Sequence, residues 1–320
     1  MFAASATAFS TDDPLSGLRL GEHPEPEAPD GWEVVDIRAT SVNHHDLWSL
    51  RGVGLSEDRL PMILGCDAAG VTADGREVIV HSVVTSGQYA DETTDPGRSL
   101  LSEKHQGTFA ERVAVPSRNL IDKPAELSWA QAACLPTAYL TAYRMLFTRS
   151  DLKPGQTVLV QGAGGGVSTA LILLGVQAGF RVWVTSRDEA KRDRALALGA
   201  HAAFESGARL PERVDAVMET VGAATWKHTL RALKPGGRVV IAGATSGSMP
   251  PADLSRIFFL QLSVVGSTMG TRDELEQLVR LCQVTGLRPI IDAELPLTAA
   301  DEALRRVAEG ELFGKIVLTA

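Results

Sequence analysis

The sequence predicts an α/β protein in which a doubly wound parallel sheet accompanies a mostly β region. The first observation is the run T-V-L-V-Q-G-A-G-G-G-V-S at 157–168, where a strand pattern meets a glycine cluster and then a helix-compatible run. The second is the alternation of strand and helix patterns from there to about Gly266. The third is the dense Pro and Gly punctuation before about Lys123, which favours short strands. Alternating strands and helices indicate a parallel sheet covered on both faces.

The region before Lys123 is expected to form an irregular, mostly antiparallel, barrel-like domain. Its strand-like runs include Trp32–Ala39, Ala69–Ala73 and Glu77–Ser82. Residues Asp91–Gln106 are polar and show no periodicity, so we expect a mobile surface loop there.

Helices are expected from Ser128 onwards. Ser128 can cap a helix because Gln131 follows three residues later and an apolar run comes next. A second helix is expected at Leu140–Phe147. The elements predicted after it are a strand at Val158–Gln161, a helix at Val167–Ala178, a strand at Arg181–Thr185, a helix at Glu189–Leu198, strands at Ala202–Phe204 and Ala216–Glu219, a helix at Thr225–Leu233, strands at Arg238–Ala242 and Leu262–Gly266, helices at Arg272–Thr285 and Ala300–Glu309, and a strand at Gly314–Leu318.

Composition excludes several classes of partner. The 320 residues carry a net charge of −8, whereas nucleic acids and anionic membranes attract basic surfaces. No apolar run reaches the roughly 18 residues that a membrane span requires. The N-terminal residues lack the basic start of a secretory signal. The three cysteines, Cys66, Cys134 and Cys282, form no C-x-x-C pair, which favours a reducing compartment. We therefore expect a cytoplasmic protein that acts on a small molecule.

The glycine cluster predicts a dinucleotide site. A strand that leads through a tight turn into a helix lets backbone N–H groups and the helix dipole hold a pyrophosphate. The residues assigned to this turn are Gly162, Gly164, Gly165, Gly166 and Val167. A second strand about 20 residues further on meets the context that this motif needs. Val167 and Ser168 stand where the usual fingerprint has its last glycine.

The end of the second strand favours NADP(H) over NAD(H). A free ribose hydroxyl is usually held there by Asp or Glu, but this chain has Ser186, Arg187 and, one turn later, Lys191. A hydroxyl and a guanidinium would bind a 2′-phosphate, which a carboxylate would repel. Alternatively, Asp188 and Glu189 pair with the two cations, which would make this an ordinary solvated face.

Two later loops are expected to form the floor of the cofactor crevice. The first loop contains Val221 and the second contains Gly243 and Thr245. They follow the fourth and fifth strands, whose carboxyl ends meet at the same edge of a parallel sheet.

Seven motifs together resemble those of the medium-chain dehydrogenase/reductase superfamily, in its zinc-free, quinone-oxidoreductase-like branch. They are S-V-N-H-H-D-L at 41–47, P-M-I-L-G-C-D-A-A-G at 61–70, G-T-F-A-E-R-V-A-V at 107–115, A-A-C-L-P-T-A-Y-L-T-A-Y at 132–143, L-K-P-G-Q-T-V-L-V-Q-G at 152–162, L-K-P-G-G-R-V-V at 233–240 and G-K-I-V-L at 314–318. This alcohol dehydrogenase-like resemblance implies a Rossmann domain, residues 126–268, inserted into a mostly β GroES-like catalytic domain, residues 1–125 and 269–320. It also implies a homodimer formed through about Leu262–Thr268, although a run this apolar would equally suit an internal strand.

The resemblance further implies that no zinc is bound. Zinc-using relatives place their ligands at positions that correspond to Asn43, Cys66 and about Thr137, and a catalytic zinc needs three protein ligands. Thr137 is instead expected at the cofactor. A regrouping of His44, His45 and Cys66 around a metal is the alternative, against a simple packing role for Cys66.

The resemblance implies hydride transfer to a quinone or an α,β-unsaturated carbonyl. Asn43 is the expected polar contact for the developing negative charge, because its amide can donate a hydrogen bond. Asp46 is expected to orient its neighbours, and His44 or His45 to move a proton, although a structural histidine is the simpler interpretation. Two other functions remain open, a zinc-type alcohol dehydrogenase and a non-catalytic NADPH-binding protein.

Overall fold

A computed structural model describes residues 1–320 and divides them into two compact units. Met1–Leu140 and Met269–Ala320 form one unit, and Thr141–Thr268 form the other. We call them the split unit and the inserted unit.

The secondary structure is numbered in chain order. The strands are β1 (Phe2–Ala6), β2 (Leu18–Glu22), β3 (Trp32–Ser41), β4 (Met62–Ile63), β5 (Ala68–Thr72), β6 (Glu77–Val80), β7 (Val83–Val84), β8 (Ser99–Leu100), β9 (Arg112–Pro116), β10 (Leu120–Asp122), β11 (Thr157–Gln161), β12 (Arg181–Thr185), β13 (Ala202–Phe204), β14 (Val214–Glu219), β15 (Leu233–Ile241), β16 (Ser263–Gly266), β17 (Ile291–Pro296) and β18 (Lys315–Thr319). The α-helices are α1 (His44–Leu50), α2 (Trp129–Ala133), α3 (Leu140–Tyr143), α4 (Gly166–Gln177), α5 (Glu189–Ala197), α6 (Ala223–Ala232), α7 (Leu254–Phe259), α8 (Arg272–Thr285) and α9 (Ala300–Glu309), and π-helical turns lie at Leu135–Tyr139 and Arg144–Arg149.

The inserted unit is a six-stranded parallel sheet in the order β13-β12-β11-β14-β15-β16. Counted from β11, this is the order 3-2-1-4-5-6 of dinucleotide-binding sheets. The strand order reverses between β11 and β14, and sheets of this kind bind ligands at the carboxyl edge of such a switch point. β11 is buried along its length and β14 at every residue except Asp215, which explains why both strands are mainly apolar. The predicted α/β, doubly wound parallel sheet is confirmed.

The split unit is mostly β, as predicted, with antiparallel pairs around β3. Its largest sheet runs β10-β6-β5-β3-β18-β17, and β9 also pairs with β3. The last strand, β18, lies between β3 and β17, so the chain returns to complete a sheet begun by its first residues. A core of apolar residues from both chain segments, including Leu50, Leu64, Phe109 and Leu304, packs beneath α1.

One predicted boundary differs from that of the compact units. Residues 126–140 were expected with the nucleotide domain but belong to the split unit. The reason is that α2 packs against β3 and β5, through a face that buries Ala130, Ala132 and Ala133. The second boundary of the compact units lies between Thr268 and Met269.

Residues Asp91–Gln106 were expected to lie at the surface as a loop, but part of this segment is buried and forms a strand. Ser99 and Leu100 form β8, which pairs with β7, and Leu101 is fully buried. Glu92 anchors the segment, because Oε1 lies 2.5 Å from Nη2 of Arg118 and Oε2 accepts the backbone N–H of Arg272 at 2.8 Å. The polar sequence did not reveal that this segment is ordered, because its polar groups bind other groups of the protein instead of solvent.

None of the helices combines the length and the apolar character that crossing a membrane would require.

Candidate functional site

The glycine turn of the inserted unit leaves backbone accessible at a helix start. Gly162 has a φ of 88°, a left-handed conformation that favours glycine, and it directly follows β11. The helix α4 begins with Gly165 as its N-cap, and no side chain caps it. A Cβ at Gly165 would meet nothing within 4 Å, so this face is open. Uncapped N–H groups at an open helix start fit the pyrophosphate of a dinucleotide.

Close packing of α4 on the sheet comes from a glycine that the sequence analysis did not single out. A Cβ at Gly175 would lie 2.8 Å from Cγ2 of Val182, so Gly175 lets α4 approach β12. Ser168, at the position where the fingerprint usually has a glycine, is buried. The altered motif therefore keeps a close helix–strand contact, placed about two turns further along α4.

The end of β12 presents cations beside a buried hydroxyl. Ser186 is buried, and its Oγ accepts the backbone N–H of Asp188 at 3.2 Å. Asp188 caps α5 by accepting the N–H of Lys191 at 3.2 Å. Arg187 is exposed and makes no ion pair in the structure. Because the Asp188 carboxylate is committed to the helix cap, the guanidinium of Arg187 remains available to a phosphate.

The loops after β14 and β15 bind each other. The N–H of Ser246 donates to the carbonyl of Val221 at 2.7 Å, and Gly222 has a φ of 92°. A Cβ at Gly222 would lie 2.5 Å from the carbonyl oxygen of Gly247, so only glycine fits there. The predicted cofactor residues of the inserted unit therefore follow strands that end at one edge of the sheet, and they are Gly162, Gly164, Gly165, Gly166, Val167, Ser186, Arg187, Lys191, Val221, Gly243 and Thr245.

In the split unit, a buried polar cluster forms around the start of α1. Nζ of Lys315 donates to the carbonyl of Val42 at 2.6 Å and to Oδ1 of Asn43 at 2.5 Å. Nδ2 of Asn43 then donates to Oδ2 of Asp67 at 2.8 Å and to the carbonyl of Ser41 at 3.2 Å. Both amide hydrogens of Asn43 are thus used within the protein. The geometry argues against the expected role of Asn43 as a donor to substrate.

Asp67 is the acceptor at the centre of this cluster. Burial raises the pKa of its carboxyl, while the Lys315 ammonium at 3.8 Å and the hydrogen bonds from Asn43 and Ser41 oppose that rise. Oδ1 of Asp67 has no hydrogen-bond partner, although the side chain is fully buried. The buried cation is therefore the main compensation for this carboxylate.

Asp46 binds two backbone N–H groups with its two carboxylate oxygens. Oδ2 accepts the backbone N–H of Asn43 at 2.8 Å and completes a capping box at the start of α1. Oδ1 accepts the backbone N–H of Gly65 at 3.1 Å. Both oxygens therefore join the first turn of α1 to the segment that carries Cys66.

The two histidines differ in their surroundings. His44 is exposed at the first position of α1. His45 lies deeper, with Nε2 3.2 Å from Oε1 of Glu103 and Nδ1 4.0 Å from Oδ1 of Asp46. Burial alone would lower the pKa of His45, but hydrogen bonding with Asp46, Cys66 and Glu103 raises it well above its usual value. The neighbouring carboxylates therefore favour the protonated form of the His45 imidazole.

The donors at the three positions named above do not fit zinc. Asn43 has its amide oxygen on Lys315, and of the three positions only Cys66 carries a side chain that zinc sites commonly use. Oγ1 of Thr137 lies 3.4 Å from Sγ of Cys66, so Thr137 belongs to the same cluster in the split unit. Ligand atoms of His45, Asp46 and Cys66 do lie within 4.8 Å of one another. In that group, however, both oxygens of Asp46 accept backbone N–H groups and His45 faces two carboxylates.

Sequence reasoning missed Lys315, Asp67, Ser41 and Glu103. Lys315 and Asp67 stood in the motifs at 314–318 and 61–70, so a signal existed, but nothing in the sequence placed them against Asn43. Only the pairing of β18 with β3 brings Lys315 to residue 43.

Comparison with known proteins identifies the family. Residues 29–125 match the alcohol dehydrogenase GroES-like domain, and residues 166–283 match the zinc-binding dehydrogenase family. The chain is 26% identical to an acryloyl-coenzyme A reductase of Sulfurisphaera tokodaii, over 97% of this chain and 99% of that protein. It is 26% identical to the quinone oxidoreductase of Mus musculus, over 89% and 88% respectively.

The same family is found among solved structures. A structure described as an NAD-dependent alcohol dehydrogenase superposes with a TM-score of 0.92 at 32% identity, and the match covers all of both chains. The predicted fold, with its GroES-like and Rossmann-like domains, is thereby confirmed. The chain is an oxidoreductase that belongs to the medium-chain dehydrogenase/reductase, alcohol dehydrogenase-like superfamily.

Proposed function

We propose that the protein is an NADP(H)-dependent, zinc-independent reductase that transfers hydride to a small quinone or an α,β-unsaturated carbonyl compound. Two similar proteins carry the names acryloyl-coenzyme A reductase and quinone oxidoreductase. Both names describe acceptors with an electron-poor double bond. We base the absence of zinc from this proposal on the side chains of Asn43, Cys66 and Thr137. The amide oxygen of Asn43 is already bound to Lys315, and the Thr137 hydroxyl lies against Cys66.

The dinucleotide would bind along the carboxyl edge of the inserted unit. The N–H groups at the start of α4 would hold the pyrophosphate, and Ser186 with Arg187 would hold a ribose 2′-phosphate. When bound, the nicotinamide supplies the hydride. The similar alcohol dehydrogenase structure is described as NAD-dependent, so the choice of NADP(H) depends on the exposed, unpaired Arg187.

Within the split unit, Asn43 and Asp46 act as positioning residues. Asp46 fixes the first turn of α1, and Asn43 links Lys315 to Asp67 across the cluster. His44 is the exposed imidazole at this helix start, and desolvation together with the charge of Lys315 lowers its pKa, so its neutral form is favoured and can exchange a proton. We therefore assign proton transfer to His44. We assign to His45 the role of offsetting the negative charges of Asp46 and Glu103.

We also propose that the protein forms a homodimer through the free edge of β16. This strand pairs only with β15, so no second strand of the chain covers its other edge. Val264 on β16 is 45% exposed, and Phe258 and Phe259 on α7 are 71% and 79% exposed. An apolar sheet edge of this kind favours association with a second copy.

The decisive experiment is a screen for NADPH oxidation, followed by absorbance at 340 nm. Quinones, enones and enoyl thioesters form the test set, with saturated ketones and aldehydes as controls. We expect turnover only with the conjugated acceptors. Turnover confined to alcohols and aldehydes would contradict the proposal, and tight NADPH binding without any turnover would indicate a non-catalytic protein.

A zinc-type alcohol dehydrogenase is the second candidate. The grouping of His45, Asp46 and Cys66 favours it, as does the description of the family matched at residues 166–283. One zinc per chain in protein purified without chelator would establish this candidate in place of the first.

A further inference from the structure

Three adjacent strands of the inserted unit end in buried polar residues. Gln161 is the last residue of β11, Thr185 is the last of β12, and Glu219 is the last of β14. All three are fully buried, and Gln161 and Thr185 are register partners. Each one directly precedes a turn that the proposed function assigns to the dinucleotide. Apolar residues would fill these positions at lower desolvation cost, so the polar groups require an explanation.

Hydrogen bonds join these strand ends through α6. Oγ1 of Thr185 donates to Oε1 of Gln161 at 2.6 Å. Nε2 of Gln161 donates to Oγ1 of Thr229 at 2.9 Å, and Thr229 donates to Oε2 of Glu219 at 2.6 Å. Oε1 of Glu219 then accepts the backbone N–H groups of Val221 at 2.8 Å and Gly222 at 3.0 Å. The chain of bonds thus runs from one turn to another across the sheet edge.

His228 determines the direction of the bonds at Gln161. Its Nε2 lies 2.9 Å from the carbonyl oxygen of Ala208, which only accepts, so Nε2 carries the proton. Nδ1 is therefore an acceptor, and the second hydrogen on Nε2 of Gln161 points to it at 3.0 Å. Every hydrogen of the Gln161 amide is used, and only a carboxamide supplies two donors and one acceptor in this arrangement.

We propose that Gln161 is a positioning residue that sets the relative placement of the three turns that receive the dinucleotide. It holds the end of β12 through Thr185 and the turn after β14 through Thr229 and Glu219. This inference rests on the proposed cofactor site, because without a dinucleotide the network would only stabilise the fold. A buried hydrogen-bond network in which every group has a partner favours one arrangement of the strand ends over other arrangements that would pack equally well.

The test compares Gln161→Met with Thr157→Val. Gln161→Met keeps the length of the side chain and removes all its hydrogen bonds. Thr157 is a matched control because it is buried at the opposite end of β11, where its Oγ1 accepts Nε of Arg181 at 2.8 Å. NADPH affinity is measured by calorimetry, stability by thermal unfolding, and KM and kcat with an active acceptor.

We expect Gln161→Met to raise the Kd and KM for NADPH about tenfold or more, with kcat at saturating NADPH nearly unchanged. Thr157→Val removes one side-chain hydrogen bond of the same strand and should lower the unfolding temperature by less, while leaving the Kd within about twofold of that of the wild type. Equal Kd values for the wild type and Gln161→Met would overturn the inference. Absence of NADPH binding by the wild type would instead refute the proposed function, so the two failures are distinguishable.

Gln161→Glu supplies a second, pH-dependent readout, which also serves if Gln161→Met does not fold. A carboxylate at 161 cannot donate to Nδ1 of His228, but it can accept from a protonated imidazole. Glu219 is the other charged group that acts on His228, and the Ala208 carbonyl faces its second nitrogen. We expect the variant to bind NADPH more tightly at pH 6 than at pH 8 and the wild type to show no such gain; the same pH trend in both would overturn the inference.

Discussion

Nζ of Lys315 lies 2.5 Å from Oδ1 of Asn43, although 272 residues separate the two along the chain. This contact fixes the orientation of the Asn43 amide, because an ammonium group only donates hydrogen bonds. The amide nitrogen must then face Asp67 and the carbonyl of Ser41. One buried cation therefore determines the hydrogen-bonding pattern at the start of α1.

Replacing Lys315 by Met should destabilise the split unit. The substitution removes the nearest cation from the fully buried carboxylate of Asp67, and breaking a buried ion pair from one side costs about 3–5 kcal/mol. Urea unfolding at pH 7 measures the free energy of unfolding. The double variant Lys315→Met with Asp67→Asn should recover part of the loss, and unchanged stability in the single variant would show that the pair is energetically neutral.

Arg187→Ala should weaken NADPH binding much more than NADH binding. A charge-assisted hydrogen bond to phosphate contributes about 1.5–3 kcal/mol, which corresponds to at least a tenfold rise in the Kd. Calorimetry with both cofactors measures the ratio. Arg213→Ala is the matched control, since Arg213 is also exposed but precedes β14 at the amino edge of the sheet. Equal losses for NADPH and NADH would rule out a phosphate contact.

Chelation should leave activity intact. Because Asn43, Cys66 and Thr137 do not supply a zinc donor set, prolonged dialysis against EDTA should change kcat/KM by less than about twofold. Elemental analysis of the same preparations checks the metal content. Activity that disappears with EDTA and returns with zinc would favour the alcohol dehydrogenase candidate.

Glu92→Gln should destabilise the segment between β7 and β8 in a pH-dependent way. Burial alone would raise the pKa of Glu92, but His81, the N–H of Arg272 and the charge of Arg118 lower it to about 2. A carboxyl with a depressed pKa stabilises the fold above its unfolded pKa of about 4.5 and loses this contribution as the pH falls towards 2. The shift corresponds to about 3 kcal/mol at pH 7.

Urea unfolding at pH 7 and at pH 3 provides the measurement for Glu92. The difference in stability between the wild type and Glu92→Gln should be largest at pH 7 and should shrink at pH 3. A difference that is the same at both pH values would mean that the charge of Glu92 is not the source of the stabilisation.

Phe259→Asp should convert the proposed dimer to a monomer. A carboxylate in the apolar edge formed by α7 and β16 would be buried without a partner on association. Sedimentation velocity measures the mass of the particle. Val284→Asp is the control, because Val284 on α8 is 80% exposed and lies outside that edge. A wild-type monomer, or a Phe259→Asp dimer, would contradict the proposed interface.

The fold could be predicted largely because its signals are local. The strand at Thr157–Gln161, the glycine turn and α4 lie in consecutive residues, and each following strand and helix repeats that pattern. The polar segment Asp91–Gln106 could not be interpreted correctly, since its order depends on Arg118 and Arg272, which are distant in sequence. Composition alone does not distinguish polar groups that bind solvent from polar groups that bind distant parts of the protein.

The candidate site could be predicted only in part for the same reason. Asn43 and Asp46 were recognisable from their motif, but the capping box that Asp46 forms at the start of α1 was not predicted. The use of the Asn43 amide by Lys315 depends on the pairing of β18 with β3, which no local pattern reveals. Gln161 was visible in the glycine motif, but its partners Thr185, Thr229 and Glu219 come together only in the sheet.

The position of β18 between β3 and β17 has a consequence for the order in which the protein folds. During synthesis the first 140 residues leave the ribosome long before residues 315–319 exist, so the end of β3 at Ala39–Ser41 stays without its partner strand until then. The inserted unit is made from one continuous stretch and can fold while synthesis continues. Asp67 and Asn43 receive their ammonium partner, Lys315, only after residue 315 has been synthesised. The buried polar cluster at the start of α1 is therefore among the last parts of the molecule to form.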